Sequence, residues 1–395
     1  MKILCLFQKF SFQSATIYLD LMNELIKRGH QVTIVAGTSE NYQENKIYQE
    51  EGCKVVYVRL PDQFKAGKIK KGLVQLMMEP KMISQIKRHF WKEEFDLLLY
   101  PTPPITLANV VMKCKKHFRA KSYLMLKDIF PQNAVDLHMM REKSLIHRYF
   151  LFVEKKLYHA SDYIGCMSKA NIQYMKKKLA PIEQMKLELF PNTIYVNPLP
   201  LKKERESEKE ITHFVFGGNL GKPQAIDFLL KGIEQLNHYD LAKFLIIGDG
   251  TESKKVETYI KEHKLFQAEY HRQLSREEYE KKLMLQDVGL VLLNKDFTIP
   301  NFPSRILSYM QMAKPILAVT DSTTDIGDVI TKEAGCGYFC PSDDVDKFVV
   351  VVKNICENKD LQSVKGKNGY AYLKEHYSVE QSVTILENHF KIDNH

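Results

Sequence analysis

The chain has 395 residues, of which 44% are hydrophobic, so it is long enough to bury the cores of two ordinary domains. Its charge is uneven: residues 1–200 carry 31 Lys and Arg against 18 Asp and Glu, and residues 201–395 carry 26 against 30, so only the first half is expected to face an anionic surface. The seven cysteines are scattered and no uncharged run reaches the roughly 20 residues of a spanning helix, which predicts a cytoplasmic protein with reduced thiols and no signal peptide.

The first half alternates strand-like and helix-like patterns. Buried strands are predicted at residues 2–7, 31–36, 55–59, 97–100, 123–126 and 163–167, with helices at 15–27, 82–91 and 146–158. Gly29 ends the first helix at the position where glycine is preferred. Strands separated by helices in this way predict a parallel sheet.

The pattern breaks at about residues 198–210, which are polar and aperiodic and therefore predict a linker. Strands then recur at 214–216, 244–247, 288–293, 316–319 and 337–340, with helices at 225–236, 254–262, 276–285, 305–312, 324–331 and 345–358. We predict an α/β protein of two Rossmann-like domains, residues 1–198 and 199–377, with a last helix at about 378–395 packing back on the first. Ligands are expected in the cleft between the two parallel sheets.

Two loops of the second half are candidate anion-binding loops. Residues 216–222 (FGGNLGK) follow a strand, their glycines let a phosphate approach the backbone, and Lys222 supplies charge. Gly248 and Asp249 end the next strand and are expected to face the same cleft. For each loop, a plain turn without a ligand is the alternative.

A third candidate lies at Ser304 and Arg305, which open the predicted helix 305–312. Ser304 is placed as the residue that caps this helix. The helix dipole disfavours a cation in the first turn, so a bound anion near Arg305 would offset the repulsion. A solvent-facing arginine is the alternative.

These loops, in this order, resemble the donor domain of the retaining family-four glycosyltransferases of GT-B fold, of the type found in bacterial capsule, O-antigen or exopolysaccharide biosynthesis. The resembling stretches of the second half are 214–221, 246–250, 303–310, 314–316 and 334–338. The first half resembles the acceptor domain at residues 25–33, 127–131 and 190–192. The resemblance therefore extends over nearly the whole chain.

The resemblance implies a donor site for a nucleoside-diphosphate sugar. By position, Gly218 and Asn219 would lie under the diphosphate, with Ser304 and Arg305 near it. It also implies that the anomeric configuration of the sugar is retained, with the acceptor hydroxyl attacking on the face of the leaving group.

This sequence departs from the family pattern at three of the expected contact positions. Gln224 stands where members often have lysine, and Lys222 is expected to substitute for it. The family's paired glutamates fall on Pro300 and Ser308, the second of which usually holds the donor ribose. Because of these departures, a non-catalytic relative of the family is an alternative to an active transferase.

Asp128 is the candidate catalytic residue. It follows the predicted strand 123–126, at a position where the family often has histidine. A carboxylate there could accept a hydrogen bond from a sugar hydroxyl or position the acceptor. The alternative is a turn or capping aspartate before Pro131, and His30 is expected to be structural.

No metal or other cofactor is predicted. Asp344 and Asp346 have the spacing of a metal-binding pair, but they are expected to cap and open the helix 345–358. Cys336 and Cys340 lie in a predicted strand without a second cysteine pair. Lys222, Arg305 and helix N-termini would then stabilise the departing diphosphate.

Three segments of the first half, residues 65–71, 87–92 and 113–119, are rich in lysine, and the last two also carry aromatic residues. They suit the anionic inner leaflet of a plasma membrane. Nucleic acid is not expected because no recognition module is present, and a solvated basic face is the alternative.

The leading hypothesis is therefore a transferase that moves a sugar from a nucleotide sugar to a lipid-linked or growing glycan. Two other hypotheses remain open: a nucleotide-sugar epimerase of the same architecture, and a non-catalytic partner of an active transferase.

Overall fold

The computed structural model describes residues 1–12, 17–38, 42–43, 45–60, 68–199 and 210–390, leaving aside the side chains of 68–76 and 276. Residues 65–67 of the first basic segment, the side chains of its residues 68–71, and most of the predicted linker lie outside these described parts. The chain divides into two units, which are unit 1 (Met1–Thr193 and Val379–His395) and unit 2 (Ile194–Ser378). No helix among the described residues is both long enough and apolar enough to span a bilayer.

Unit 1 is built on an eight-stranded sheet. Its strands are β1 (Lys2–Phe7), β2 (Gln31–Thr38), β3 (Ile47–Glu50), β4 (Cys53–Arg59), β5 (Leu97–Thr102), β6 (Lys121–Leu126), β7 (Tyr163–Cys166) and β8 (Leu187–Leu189). They lie in the order β3-β4-β2-β1-β5-β6-β7-β8 and pair in parallel, except that β3 and β4 form an antiparallel hairpin. This hairpin was not predicted, and it turns at Glu51 and Gly52, which both have positive φ.

The helices of unit 1 cover the faces of this sheet, so its strands are apolar on both sides. They are α1 (Ile17–Lys27), α2 (Lys68–His89), α3 (Ala108–Phe118), α4 (Gln132–Asp136), α5 (Leu145–Ala160), α6 (Lys169–Lys178) and α7 (Pro181–Gln184), with a 3₁₀ turn at Ile105–Leu107. Helix α2 is longer than the predicted 82–91 because it continues through Pro80.

Unit 2 is built on a six-stranded parallel sheet. Its strands are β9 (Thr212–Gly217), β10 (Ala242–Ile247), β11 (Ala268–His271), β12 (Val288–Leu292), β13 (Ile316–Thr320) and β14 (Gly337–Pro341). Its helices are α8 (Ile226–Gln235), α9 (Ser253–Glu262), α10 (Arg276–Met284), α11 (Arg305–Gln311), α12 (Ile326–Asp328), α13 (Val345–Glu357) and α14 (Lys359–His376), with a 3₁₀ turn at Lys222–Gln224 and a π turn at Val329–Glu333. The last helix, α15 (Val379–Asn388), returns to unit 1.

The strand order of unit 2 is β11-β10-β9-β12-β13-β14, so the direction of winding reverses between β9 and β12. The core on either side is dense and aromatic: Phe214 stacks on Phe244 with ring centroids 5.0 Å apart, and Phe348 packs beside them. In open parallel sheets a reversal leaves a crevice at the carboxyl ends of the two strands, and this is the usual place for a ligand.

Candidate functional site

The loop after β9 and the loop after β10 form one edge of unit 2. The backbone N–H of Gly218 donates to the carbonyl of Ile247, and that of Leu220 donates to the carbonyl of Asp249, both at 2.9 Å. Gly218 and Gly248 have φ of 137° and 151°, which favours glycine, and a Cβ on Gly248 would overlap the carbonyl oxygen of Gly218. Glycine is therefore required at both positions for the two backbones to meet.

Arg305 begins α11 and lies directly over this edge. Its Cζ is 4.3 Å from the ring centroid of Phe216, and a Cβ built on Gly218 would lie 3.1 Å from its Nη2. Burial lowers the pKa of Arg305, and its buried Nη1 has no hydrogen-bond partner among the described residues. Buried charged donors are normally paired, so this guanidinium is suited to an anionic ligand.

Two tyrosines surround the guanidinium. The buried hydroxyl of Tyr309 accepts from the N–H of Gly217 at 3.4 Å and lies 3.2 Å from the carbonyl oxygen of Val215. The ring of Tyr279, on α10, covers Gly217 so closely that a Cβ there would overlap it. Burial raises the pKa of both tyrosines, so both stay neutral and leave the charge of Arg305 uncompensated.

Sequence reasoning missed both tyrosines as site residues. Tyr309 could have been found, because it follows Arg305 by four residues on the same predicted helix and so shares its face. Tyr279 lies in a charged helix 26 residues before Arg305, and no local pattern in the sequence connects the two.

Ser304 and Ser308 flank Arg305 on α11. Ser304 occupies the N-cap position and is exposed, but its side chain makes no capping hydrogen bond, so the prediction that it caps the helix is wrong. Its backbone is already helical (φ −63°, ψ −18°), whereas a capping side chain needs an extended residue. Ser308 is partly buried one turn after Arg305, on the same helix face.

The loop that carries Asn219 and Lys222 is tied together by Gln224. The side-chain oxygen of Gln224 accepts from Nδ2 of Asn219 at 3.4 Å and from the N–H of Gly221 at 3.3 Å. Asn219 and Lys222 are exposed, and the carbonyl of Lys222 accepts from Asn294 at 3.0 Å. Gln224 therefore shapes the loop, and Lys222 presents the loop's cation.

Asp249 is used within its own turn. Its carboxylate accepts from Ser253 Oγ and from the N–H of Gly250, both at 2.8 Å, and these hydrogen bonds lower the pKa of Asp249. Since Ser253 begins α9, the carboxylate stabilises the start of that helix. The geometry favours the plain-turn interpretation for this residue.

Asp128 lies at the carboxyl end of β6, in unit 1. Both carboxylate oxygens accept from Nδ2 of Asn133, at 2.8 and 2.7 Å, and the hydroxyl of Thr102 donates to the carbonyl of Asp128 at 3.0 Å. Burial raises the pKa of Asp128 to about 6. The short helix α4 begins after Pro131 without a side-chain cap, so Asp128 does not cap it.

Lys127, beside Asp128, was not predicted as a site residue. Burial lowers the pKa of Lys127 to about 7, and its Nζ donates to the carbonyls of Phe190 and Pro191 at 3.3 and 3.4 Å. It lines a small hollow of about 10 Å³ together with Tyr18, room for a single water. This partly buried lysine has no carboxylate partner among the described residues, and it places a second titratable group next to Asp128.

The described residues contain no group of three or more His, Cys, Asp and Glu side chains that could hold a metal ion. Asp344 accepts from the N–H of Lys347 at 2.8 Å and so caps α13, as predicted. Cys336 and Cys340 are buried thiols, and burial raises the pKa of each to about 12.

The aromatic residues of the basic segments 87–92 and 113–119 pack against the protein. Phe90 is fully buried, so this aromatic residue of segment 87–92 does not contribute to the surface. Trp91 stacks on His117 with ring centroids 3.6 Å apart, and Phe118 packs edge-on against Phe95. These contacts join the segment that follows α2 to the end of α3, and Trp91 and Phe118 are partly buried in them.

Comparison with known proteins gives a consistent result. A family model described as glycosyl transferases group 1 matches residues 200–372, a range that falls within unit 2. The structure describes this range from residue 210 onward. The probable glycosyltransferase WbjE of Pseudomonas aeruginosa is 26% identical over 324 residues, which are 78% of this chain and 77% of WbjE.

Solved structures share the fold over the full length. Sucrose-phosphate synthase from Thermosynechococcus elongatus matches 99% of this chain and 98% of its own with a TM-score of 0.76 and 15% identity. HepE from Anabaena, solved in complex with UDP, matches 99% of both chains with a TM-score of 0.68 and 14% identity. The predicted α/β architecture of two parallel-sheet domains is confirmed.

Proposed function

We propose that this chain, whose residues 200–372 match the group 1 glycosyl transferases, transfers a sugar from a nucleoside-diphosphate sugar to a hydroxyl of a lipid-linked or growing glycan. One observation carries the proposal: the partly buried guanidinium of Arg305 lies over Gly218 where the winding of a parallel sheet reverses, and its Nη1 has no hydrogen-bond partner in the part of the chain that the structure describes. A diphosphate is the ligand whose charge and oxygen atoms suit this position.

In this proposal the donor diphosphate lies along the glycine edge of unit 2. Arg305 and the exposed Lys222 compensate its charge, and the backbone at Gly218 lets its oxygens approach closely. The complex of HepE with UDP supports a nucleotide in a protein of this fold.

The reaction needs stabilisation of the leaving group more than covalent chemistry by the protein. The bond from the anomeric carbon to the diphosphate oxygen breaks, the bond to the acceptor oxygen forms, and the acceptor proton passes to the departing diphosphate. Arg305 stabilises the charge that develops on that diphosphate. We expect retention of configuration and no requirement for a metal.

Asp128 is proposed to bind a sugar hydroxyl. Its carboxylate is held in one orientation by Asn133, so that it can accept a hydrogen bond from a donor or acceptor hydroxyl. The excess of positive charge in residues 1–200 supports an acceptor carried by an anionic membrane, in surface polysaccharide biosynthesis at the inner face of the plasma membrane.

Two measurements test the proposal. A thermal-shift screen of UDP, GDP and their sugar conjugates identifies the donor, since a ligand that binds only the native state raises the melting temperature. Product analysis with that donor, radiolabelled in the sugar, is then done with and without EDTA.

A new glycoside formed equally in EDTA is the expected result. A new nucleotide sugar without a glycoside would identify an epimerase, and activity that is lost in EDTA and restored by Mn²⁺ would overturn the metal-free mechanism. If no nucleotide diphosphate binds at all, the chain is a non-catalytic partner of another transferase.

A further inference from the structure

Helix α5 of unit 1 exposes a row of large apolar side chains. Leu145, Ile146, Tyr149 and Phe152 leave 83%, 62%, 46% and 65% of their surfaces exposed. Their spacing along the helix puts them on one face. Single exposed apolar residues are ordinary on a protein surface, but a row of this kind marks an interaction surface.

The orientation of α5 is fixed by polar contacts on its other face. Glu154 is buried, and its carboxylate accepts from the hydroxyl of Tyr158 at 2.9 Å and pairs with Lys178 at 2.7 Å. Ser144 caps the helix by accepting from the N–H of His147 at 3.2 Å. Rotating the helix to bury Phe152 would expose and break these contacts, so the native structure holds the apolar row outward.

Cations flank the row. The residues exposed on α5 and in the turn before it include Arg141, Lys143, Arg148 and Lys155, against the single exposed carboxylate of Glu142. An apolar row bordered by cations has the composition of helices that lie in the interface of an anionic membrane. Neither a neutral leaflet nor an apolar protein surface would compensate this charge.

We propose that this face of α5, defined by Leu145, Ile146, Tyr149 and Phe152 with Arg148 and Lys155, docks on an anionic lipid leaflet. The apolar side chains enter the boundary between headgroups and acyl chains, while the cations stay at the phosphates. This inference rests on the proposed function, in which the acceptor is carried by a membrane. It assigns the docking surface to α5, since the aromatic residues of segments 87–92 and 113–119 pack against the protein.

The test uses the full chain and vesicles of phosphatidylcholine, with or without one third phosphatidylglycerol, in a co-sedimentation assay. The double variant Leu145→Ser/Phe152→Ser removes apolar contact, and Arg148→Gln/Lys155→Gln removes two charges. The matched control is Phe266→Ser, because Phe266 is a phenylalanine in unit 2 that is at least as exposed (77%) as Phe152. Each preparation is also assayed for UDP binding and for its molar mass in solution.

The wild type is expected to bind anionic vesicles at least tenfold better than neutral ones. The apolar double variant should lose at least tenfold in partition, and the charge variant about 25-fold in low salt, from about fivefold for each cation near the surface. Phe266→Ser should bind vesicles like the wild type, and all variants should bind UDP equally.

Three outcomes would overturn the inference: no vesicle binding by the wild type, equal binding by wild type and α5 variants, or a wild-type dimer that the α5 variants convert to monomers. The last would identify a second copy of the chain as the occupant. A wild type that binds neither UDP, GDP nor their sugar conjugates would instead contradict the proposed function, so the two failures are distinguishable.

Discussion

Arg305 combines three properties that a diphosphate site requires. Its guanidinium is planar and stacks on Phe216, it lies against the glycine edge, and its Nη1 lacks a protein partner in the described part of the chain. A lysine would keep the charge but lose the stacking and the forked hydrogen bonds. The chemistry at this position is therefore specific to arginine.

The first prediction concerns this arginine. Arg305→Ala should weaken UDP or GDP binding by about 1.5–3 kcal/mol, the scale of a charge-assisted hydrogen bond, and Arg305→Lys should recover only part of that loss. Isothermal titration calorimetry measures both. Lys367→Ala, which removes an exposed cation elsewhere in unit 2, is the control. An unchanged affinity in Arg305→Ala would remove this residue from the site.

The second prediction concerns the pH dependence of Asp128. Burial raises its pKa to about 6, so the carboxylate is charged above that pH and protonated below it. If the charged form accepts a hydrogen bond from substrate, kcat/KM should fall about tenfold per pH unit below 6. Asp128→Asn should lower kcat/KM and remove this acid limb, while UDP affinity stays unchanged.

Asn133 provides the matched variant for this experiment. Its hydrogen bonds favour the charged carboxylate and so lower the pKa of Asp128. Asn133→Ala should therefore move the acid limb to higher pH, whereas a purely structural effect would lower activity without moving it. A profile that is flat between pH 5 and 8 in the wild type would rule out titration of Asp128 in the reaction.

The contrast between these residues explains which parts of the site the sequence could predict. Arg305 and Gly218 sit beside recognisable turn and helix signals, so local pattern was enough to find them. Tyr279 and Lys127 are important because of contacts with distant residues or because of burial. Neither property is visible in one sequence without the fold.

At the scale of elements, the strands were the most predictable. Every strand in β9 to β14 except β11 was expected, because strands covered on both faces are short apolar runs between polar turns. Helix α14 was missed because it is mostly polar, and two of its buried residues are Gly366 and Gly369. Glycine in a helix normally signals a break, but here its small size allows close packing.

The third prediction tests that packing. Alanine normally stabilises a helix interior by up to about 1 kcal/mol relative to glycine. In α14 the sign should reverse, because a Cβ on Gly366 would overlap the carbonyl oxygen of Ala313. We expect Gly366→Ala to lower the stability of unit 2 by about 1–3 kcal/mol, measured by urea unfolding.

The control for this variant is Ser363→Ala, at an exposed position of the same helix. Ser363→Ala should be neutral or slightly stabilising, because it changes helix propensity and leaves the contact between Gly366 and Ala313 unchanged. If Gly366→Ala were as stable as the wild type, α14 would be free to move away from Ala313, and its glycine would have no packing role.

At the scale of the whole molecule, the chain leaves unit 1 after Thr193 and returns to it at Val379. Helix α15 packs on α1, and its Val383 and Leu386 are fully buried. Polar contacts reinforce this return: His30 contacts Glu387 at 2.9 Å, which is the structural role expected for that histidine. Unit 1 is therefore completed only by the last segment of the chain.

The fourth prediction concerns Arg28, which joins α15 to α1. Arg28 donates to the buried carboxylate of Glu24 and to Glu387, both at 2.9 Å, and to the carbonyl of Glu380 at 2.8 Å. Arg28→Ala breaks all three contacts and weakens the pairing of Glu24. Unit 1 should lose about 2–4 kcal/mol, less than a fully buried pair would because Arg28 is partly exposed.

Native-state proteolysis measures this loss directly, because α15 should detach and be cleaved before the rest of unit 1 unfolds. Lys27→Ala is the matched control: Lys27 also pairs with Glu24, at 3.3 Å, but it is exposed and should contribute less than about 1 kcal/mol. UDP affinity should be unchanged in both variants, because the donor residues lie in unit 2. Equal cleavage of α15 in Arg28→Ala and Lys27→Ala would mean that apolar burial alone holds the last helix in place.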